Sequence, residues 1–188
     1  MIIFMYRIAV TNRNLCRGDF LSRVRELAKG SEYQAILLRE KDMTETEYRV
    51  LAEQVLTICS RYGKKCILHN FVRAAEDLGH PCLHLPLPVW EETEKSRLKT
   101  FSEIGTSVHS LEQAKRALSL GASYITAGHI FTTDCKRGLP PRGLFFLREI
   151  CTEVSIPVYG IGGINRKNEE LVTGQGAAGV CIMSGAMV

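Results

Sequence analysis

Two short glycine clusters lie toward the C-terminal end of the chain, Gly160-Ile161-Gly162-Gly163-Ile164 and Met183-Ser184-Gly185-Ala186. Without Cβ atoms, such residues let backbone N–H groups approach an anion closely, and Ser184 adds a hydroxyl donor. The chemistry this pattern suits is phosphate binding; the plainer alternative is that the glycines only turn the chain. Between the clusters and the N-terminal half runs Gly128-His129-Ile130-Phe131-Thr132-Thr133-Asp134-Cys135-Lys136-Arg137-Gly138-Leu139-Pro140-Pro141-Arg142-Gly143, too long and too polar for a simple turn. An imidazole is suited to moving a proton at pH 7, so His129 is a candidate acid–base group, although a lone histidine can equally be a packed structural residue. Lys136, Arg137 and Arg142 in the same segment can close over an anion. Upstream, Arg39-Glu40-Lys41-Asp42 sets four charges side by side, either to bind an anion through Arg39 or to pair among themselves in water. Asn70, and Ser107 with His109, are placed to orient a ligand by hydrogen bonds. His80 and His84 stand four apart, but Pro81 intervenes, so the two rings do not share a helix face and no metal site is expected.

These residues need elements to position them, and the pattern of apolar runs supplies the frame. Short apolar runs occupy residues 6–11, 35–39, 66–69, 82–85, 104–107, 124–127, 157–160 and 179–183, and helical patterns separate them. Strand–helix alternation along a whole chain implies a parallel sheet crossed over by helices. Helix ends reinforce the reading: Thr44 with Glu47 forms a capping box, and Tyr48, Leu51, Ala52, Val55, Cys59 and Tyr62 share one face before Gly63. Ser110 and Gln113 repeat the device, ending at Gly121. Asp19 precedes Leu21, Val24, Leu27 and Ala28, and Gly30 follows; Trp90, Phe145 and Phe146 read as helix packing. Eight strands close into a barrel or lie as an open sheet, and the glycine-rich turn typical of the open sheet is not found at Asn12-Arg13-Asn14. The expected fold is therefore α/β, a TIM (β/α)8 barrel in one domain spanning residues 1–188, lacking most or all of its final helix because the sequence stops at Val188 just after the eighth run. Arg39, Asn70, Ser107, His109, His129 and the two glycine clusters then fall at C-terminal strand ends, where such barrels bind their ligands. An uncovered seam favours association, and a homo-oligomer, most simply a dimer, is expected.

The totals narrow the function classes. With 188 residues and 45% apolar composition, there is room for one core. The excess of 24 Lys and Arg over 20 Asp and Glu is small, and the basic residues are spread along helices such as 13–29 and 95–99, which disfavours nucleic acid as a partner. Cys16, Cys59, Cys66, Cys82, Cys135, Cys151 and Cys181 form an odd set without CxxC spacing, fitting a reducing cytoplasm better than a disulfide framework or a zinc site. Residues 1–10 lack a signal-peptide pattern, and no stretch is long enough for a membrane span.

Leu38-Arg39-Glu40-Lys41, Leu68-His69-Asn70, Gly105-Thr106-Ser107-Val108-His109-Ser110, Gly128-His129-Ile130-Phe131-Thr132-Thr133-Asp134-Cys135-Lys136 and Ile161-Gly162-Gly163-Ile164 together resemble, in order and spacing, the thiamine phosphate synthase and TenI superfamily. The resemblance runs from the first strand to the eighth. It implies two possible activities. Synthases of that superfamily couple a pyrimidine pyrophosphate to a thiazole phosphate using Mg2+, whereas its tautomerase branch aromatises a thiazole phosphate carboxylate. Synthases typically carry an Asn-Asp pair after strand three and a Gly-Gln-x-Asp segment after strand four; here those places read Asn70-Phe71 and Leu85-Pro86-Leu87-Pro88. Leu37 replaces the usual Gln, and Gly-His-Ile-Phe replaces Gly-Pro-Ile-Phe. These differences resemble the tautomerase pattern, which implies His129 as the proton-transfer residue, with Arg39, Lys41 and Lys136 near the ligand carboxylate. Asn70 and Ser107 would orient the ligand, and Gly162, Gly163, Ser184 and Gly185 would hold its phosphate. That reading implies a small-molecule thiazole phosphate as partner, with no cofactor and no metal. The synthase-like transferase and a non-catalytic, ligand-binding regulatory protein are the competing readings.

Overall fold

The computed structural model describes residues 5–133 and 138–188. Eight parallel strands follow one another in sequence order around a closed barrel, with helices between them. They are β1 (Tyr6–Val10), β2 (Ala35–Leu38), β3 (Lys65–His69), β4 (Cys82–Pro86), β5 (Glu103–Val108), β6 (Tyr124–Gly128), β7 (Val158–Ile161) and β8 (Gly179–Ile182). Each falls on one of the apolar runs. β2 and β8 are buried at every residue, as strands covered on both faces must be, which is why they read as continuous apolar runs rather than alternating ones.

The helices are α1 (Phe20–Lys29), α2 (Glu45–Arg61), α3 (Val72–Asp77), α4 (Leu87–Glu92), α5 (Lys95–Leu98), α6 (Leu111–Ser119), α7 (Gly143–Glu153), α8 (Glu169–Thr173) and α9 (Ser184–Met187). The basic stretch 13–29 is not one helix: Arg13–Leu15 is a short 3-10 turn, and α1 begins only after its Asp19 cap, whose carboxylate accepts from Ser22 N–H. In α2 the Thr44–Glu47 capping box is complete, and Tyr48, Ala52, Val55 and Cys59 are the buried stripe. Leu51 is half-buried and Tyr62, just past the helix end, is exposed. The final helix is the single turn α9, of which Ala186 and Met187 are buried. Phe145 is not packed as expected: it is 81% exposed on α7, because Leu147 and Ile150 supply that helix's inward face.

The structure divides into two units, one running through Gly105–Ile182 and taking in Tyr6, the other through Arg7–Ile104 and Met183–Val188. In the first, Tyr159 packs against Tyr6 (ring centroids 5.7 Å apart) and edge-on against Tyr124 (5.6 Å). In the second, the buried Tyr48 hydroxyl donates to Leu38 O (2.7 Å) and accepts from His69 N–H (2.8 Å), tying α2 to β2 and β3. No helix among the described residues is long and apolar enough to cross a membrane.

Candidate functional site

His129 immediately follows β6 and is 6% exposed. Its peptide with Gly128 is cis. The backbone around it is held from several directions. Ile130 N–H donates to Ile161 O (2.9 Å) and Phe131 N–H to Gly162 O (2.9 Å), which carries the β6–β7 pairing past the strand ends. Arg142 N–H donates to His129 O (3.0 Å), and Gly143 N–H to Ile130 O (3.1 Å), folding the start of α7 back onto the same segment. The ring has two unlike nitrogens. Nε2 lies 3.4 Å from Leu139 O, and a carbonyl only accepts, so that contact calls for a proton on Nε2. Nδ1 is buried with no hydrogen-bond partner among the described residues. In the neutral ring it therefore carries the lone pair, and a buried polar atom left open in this way is an unusual feature that needs a reason.

Gly162 and Gly163 follow β7 with φ of +102° and +66°. A Cβ at Gly162 would sit 2.5 Å from His129 Cβ, and one at Gly163 would run into Thr132 O, so side chains are excluded at both positions. Their N–H groups have no hydrogen-bond partner among the described residues, which leaves them available to an anion. Asn168 Nδ2 donates to Gly163 O (3.0 Å) and fixes the turn. Ser107, near the end of β5, accepts from Thr126 Oγ1 (2.9 Å). His109 is turned toward backbone: its Nδ1 donates to Gly128 O at 2.7 Å. The expected capping box at Ser110 is half formed. Ser110 accepts from Gln113 N–H (3.2 Å), but Gln113 Oε1 accepts from His109 N–H (2.6 Å) instead of from the N–H of the cap itself.

The other unit carries the charged candidates. Glu40 is 2% exposed and accepts from Thr11 Oγ1 (2.7 Å) and from Arg13, through its N–H (3.0 Å) and its guanidinium (3.3 Å). Asp42 takes both ends of the same guanidinium, at 2.6 and 2.8 Å, and these hydrogen bonds hold its carboxyl below the usual range. Four charges adjacent in sequence thus separate by partner, with both carboxylates engaged by Arg13. Arg39, half-buried, donates its N–H to Thr11 Oγ1 (2.9 Å) and brings its guanidinium within 3.9 Å of Met183 Sδ, next to Ser184 and Gly185 at the start of α9. Both of those residues are exposed, as is Lys41. Asn70 adopts φ +69°, a conformation that asparagine tolerates better than most residues, and its N–H donates to His84 O (3.0 Å). Lys136, with Asp134, Cys135 and Arg137, lies outside the described residues.

Sequence reasoning did not anticipate the pairing of His69 with His84. The two rings stack with centroids 5.7 Å apart and 14° between their planes. Burial, reinforced by the charges of Arg39 and Lys41, pushes the His84 pKa down to about 3; burial, His84 and the same two cations push His69 well below its ordinary value. Both imidazoles are neutral at pH 7. Equal register on β3 and β4 is the signal that could have revealed the pair, but register is not visible in one sequence.

A sequence model of the thiamine monophosphate synthase family matches residues 7–186. A thiamine-phosphate synthase of Syntrophomonas wolfei is 32% identical over 185 residues, covering 95% of this chain and 86% of the relative. A protein of Aquifex aeolicus named putative thiamine-phosphate synthase 2 is 31% identical, covering 94% of each. The solved structure of a thiamine phosphate pyrophosphorylase from Pyrococcus furiosus superposes with a TM-score of 0.82 at 28% identity, covering 98% of this chain and 88% of the other.

Proposed function

The chain belongs to the thiamine monophosphate synthase family, and on that premise we propose that it aromatises a thiazole phosphate carboxylate by a proton shift centred on His129. The observation that carries this reading is the buried, unpartnered Nδ1 of His129, a base with its lone pair open. Nδ1 takes the proton from the ring carbon that bears the carboxylate. The C–H electron pair enters the ring π system, the ring π bonds shift by one position, and the π pair of the exocyclic double bond takes the proton back from the imidazolium as the new C–H bond of the exocyclic carbon. Atoms and electrons balance without a co-reactant, and aromaticity drives the step. In this reading the N–H groups of Gly162 and Gly163 take the phosphate and Ser107 orients the ring, while Arg39, Lys41, Asn70, Lys136, Ser184 and Gly185 stay ligand-binding candidates on the strength of the sequence.

The names of the relatives favour a different reading, the Mg2+-dependent coupling of a pyrimidine pyrophosphate to a thiazole phosphate. The described residues do not fit the metal that such coupling uses. Mg2+ takes oxygen ligands, chiefly carboxylates, beside the pyrophosphate. Among the described residues, Asn70-Phe71 follows β3 and Leu87-Pro88 follows β4, while Glu40 and Asp42 are both engaged by Arg13.

The test is an assay with the unaromatised thiazole phosphate carboxylate in EDTA, following the aromatic product for wild type and His129→Ala. Turnover by wild type that falls about 10²–10⁴-fold in the variant is the expected result, the range for loss of a general base. Absence of turnover by wild type in EDTA, together with coupling activity on adding Mg2+, would establish the transferase instead.

A further inference from the structure

Three of the hydrogen bonds that fix the backbone carrying His129 differ in what makes them. Ile130 N–H is held by Ile161 O, His129 O by Arg142 N–H, and Gly128 O by the ring of His109. The first two are backbone to backbone and survive any side-chain substitution. The third is made by a side chain, so it can be removed alone. Its acceptor is the carbonyl of the very peptide that joins Gly128 to His129, so His109 holds one end of the peptide plane from which the His129 Cα–Cβ bond departs.

His109 is itself firmly placed. Its own N–H is fixed by Gln113 Oε1 at 2.6 Å, and Gln113 N–H is fixed by Ser110 Oγ at 3.2 Å, so the first turn of α6 anchors the residue. A carbonyl oxygen only accepts, so the 2.7 Å contact also fixes the tautomer, with the proton on Nδ1. Glycine at 128 is required for the approach from the other side, because a Cβ there would fall against Ile161.

We propose that His109 is a positioning residue for His129, acting through the Gly128 carbonyl and not through contact with the substrate. The part of this claim that concerns turnover rests on the proton-shift reading above. A base displaced by ~1 Å loses on the order of 10²-fold in rate, so a group that aims the peptide of the base acts on kcat more than on KM.

Three substitutions and two readouts test this. His109→Leu removes the donor at similar volume. His109→Asn keeps an amide N–H at the same distance from the backbone as imidazole Nδ1. His109→Gln moves that N–H one bond outward. The expected kcat is lowered ~10–100-fold by Leu and by Gln, with KM within ~3-fold, and restored to within ~5-fold of wild type by Asn. The second readout is the nitrogen NMR signals of the His129 ring, which are expected to shift in the Leu and Gln variants and return in Asn. Unchanged kcat in Leu and Gln, a rise in KM alone, or failure of Asn to restore what Gln loses would overturn the proposal. Should Leu not fold, the contrast between Asn and Gln decides. Should wild type show no tautomerase activity, the ring signals decide: shifts in Gln that Asn reverses support positioning, and signals unmoved in all variants overturn it.

Discussion

At Gly162 the backbone conformation and the packing of the candidate base meet in one residue. Its φ of +102° is one that L side chains rarely adopt, and a Cβ would stand 2.5 Å from His129 Cβ. Gly162→Ala is expected to destabilise the protein by ~1–3 kcal/mol, the cost of a residue held in a sparsely populated backbone region. It should also lower turnover, because relief of the overlap moves His129. A shift in the urea midpoint at constant slope would measure the first effect, and an unchanged rate would show that His129 tolerates displacement. This double role was half legible in the sequence. Two adjacent glycines after an apolar run announce a tight turn, but the neighbour that requires a glycine at 162 lies 33 positions away, by subtraction of 129 from 162. The charge run 39–42 teaches the same lesson. Anion binding and mutual pairing were the two readings open to it, and the arrangement found uses Arg13, contributed by the loop after β1, to hold both carboxylates.

Among the elements, α2 is the one most fully written in local sequence. Its capping box, acidic first turn and buried stripe all follow from residues within the helix. What local sequence does not reveal is that Tyr48 also joins two strands. Its hydroxyl serves Leu38 O and His69 N–H, and it is fully buried. Burial pushes the phenol far above its usual range, so it stays protonated and remains a donor at every working pH. Tyr48→Phe leaves those two backbone groups unsatisfied and is expected to cost ~1–3 kcal/mol, the penalty for orphaning buried polar groups. Thermal or denaturant unfolding checks this, and a loss no larger than that of an exposed Tyr62→Phe control would refute it. The strands were legible because burial on both faces leaves an unbroken apolar run. Their ends were less so: β6 reaches Gly128 and β7 reaches Ile161, because ladder bonds extend the pairing where composition no longer marks it. Phe145 fails for the opposite reason, since apolarity alone does not say which side of α7 faces inward.

For the molecule as a whole, the buried histidines set a pH dependence. His84 and His69 have folded-state pKa values below the ordinary 6.5, the first at about 3, and half-buried His80 is lowered too, chiefly by burial. The unfolded chain therefore binds protons that the folded chain refuses as pH falls below 6.5, and stability declines between there and about 3. The lowered carboxylates of Asp19, Asp42 and Glu47 act with the same sign but in a lower window, below their ordinary values of 3.8 and 4.5. Unfolding free energy measured from pH 6.5 to pH 4.5 should thus fall mainly through the histidines. His84→Asn should flatten that slope by up to about one bound proton; a slope identical to wild type would contradict it. The sequence by itself determined the strand–helix alternation, the helix caps and the positions where strands hand over to polar loops, because those depend on neighbours within a few residues. Only the tertiary structure decided that Arg13 holds Glu40 and Asp42, that His69 meets His84, and that His109 grips the peptide of His129. Each of those contacts joins segments brought together by strand register and loop course, and neither is encoded in the spacing of residues along one stretch of chain.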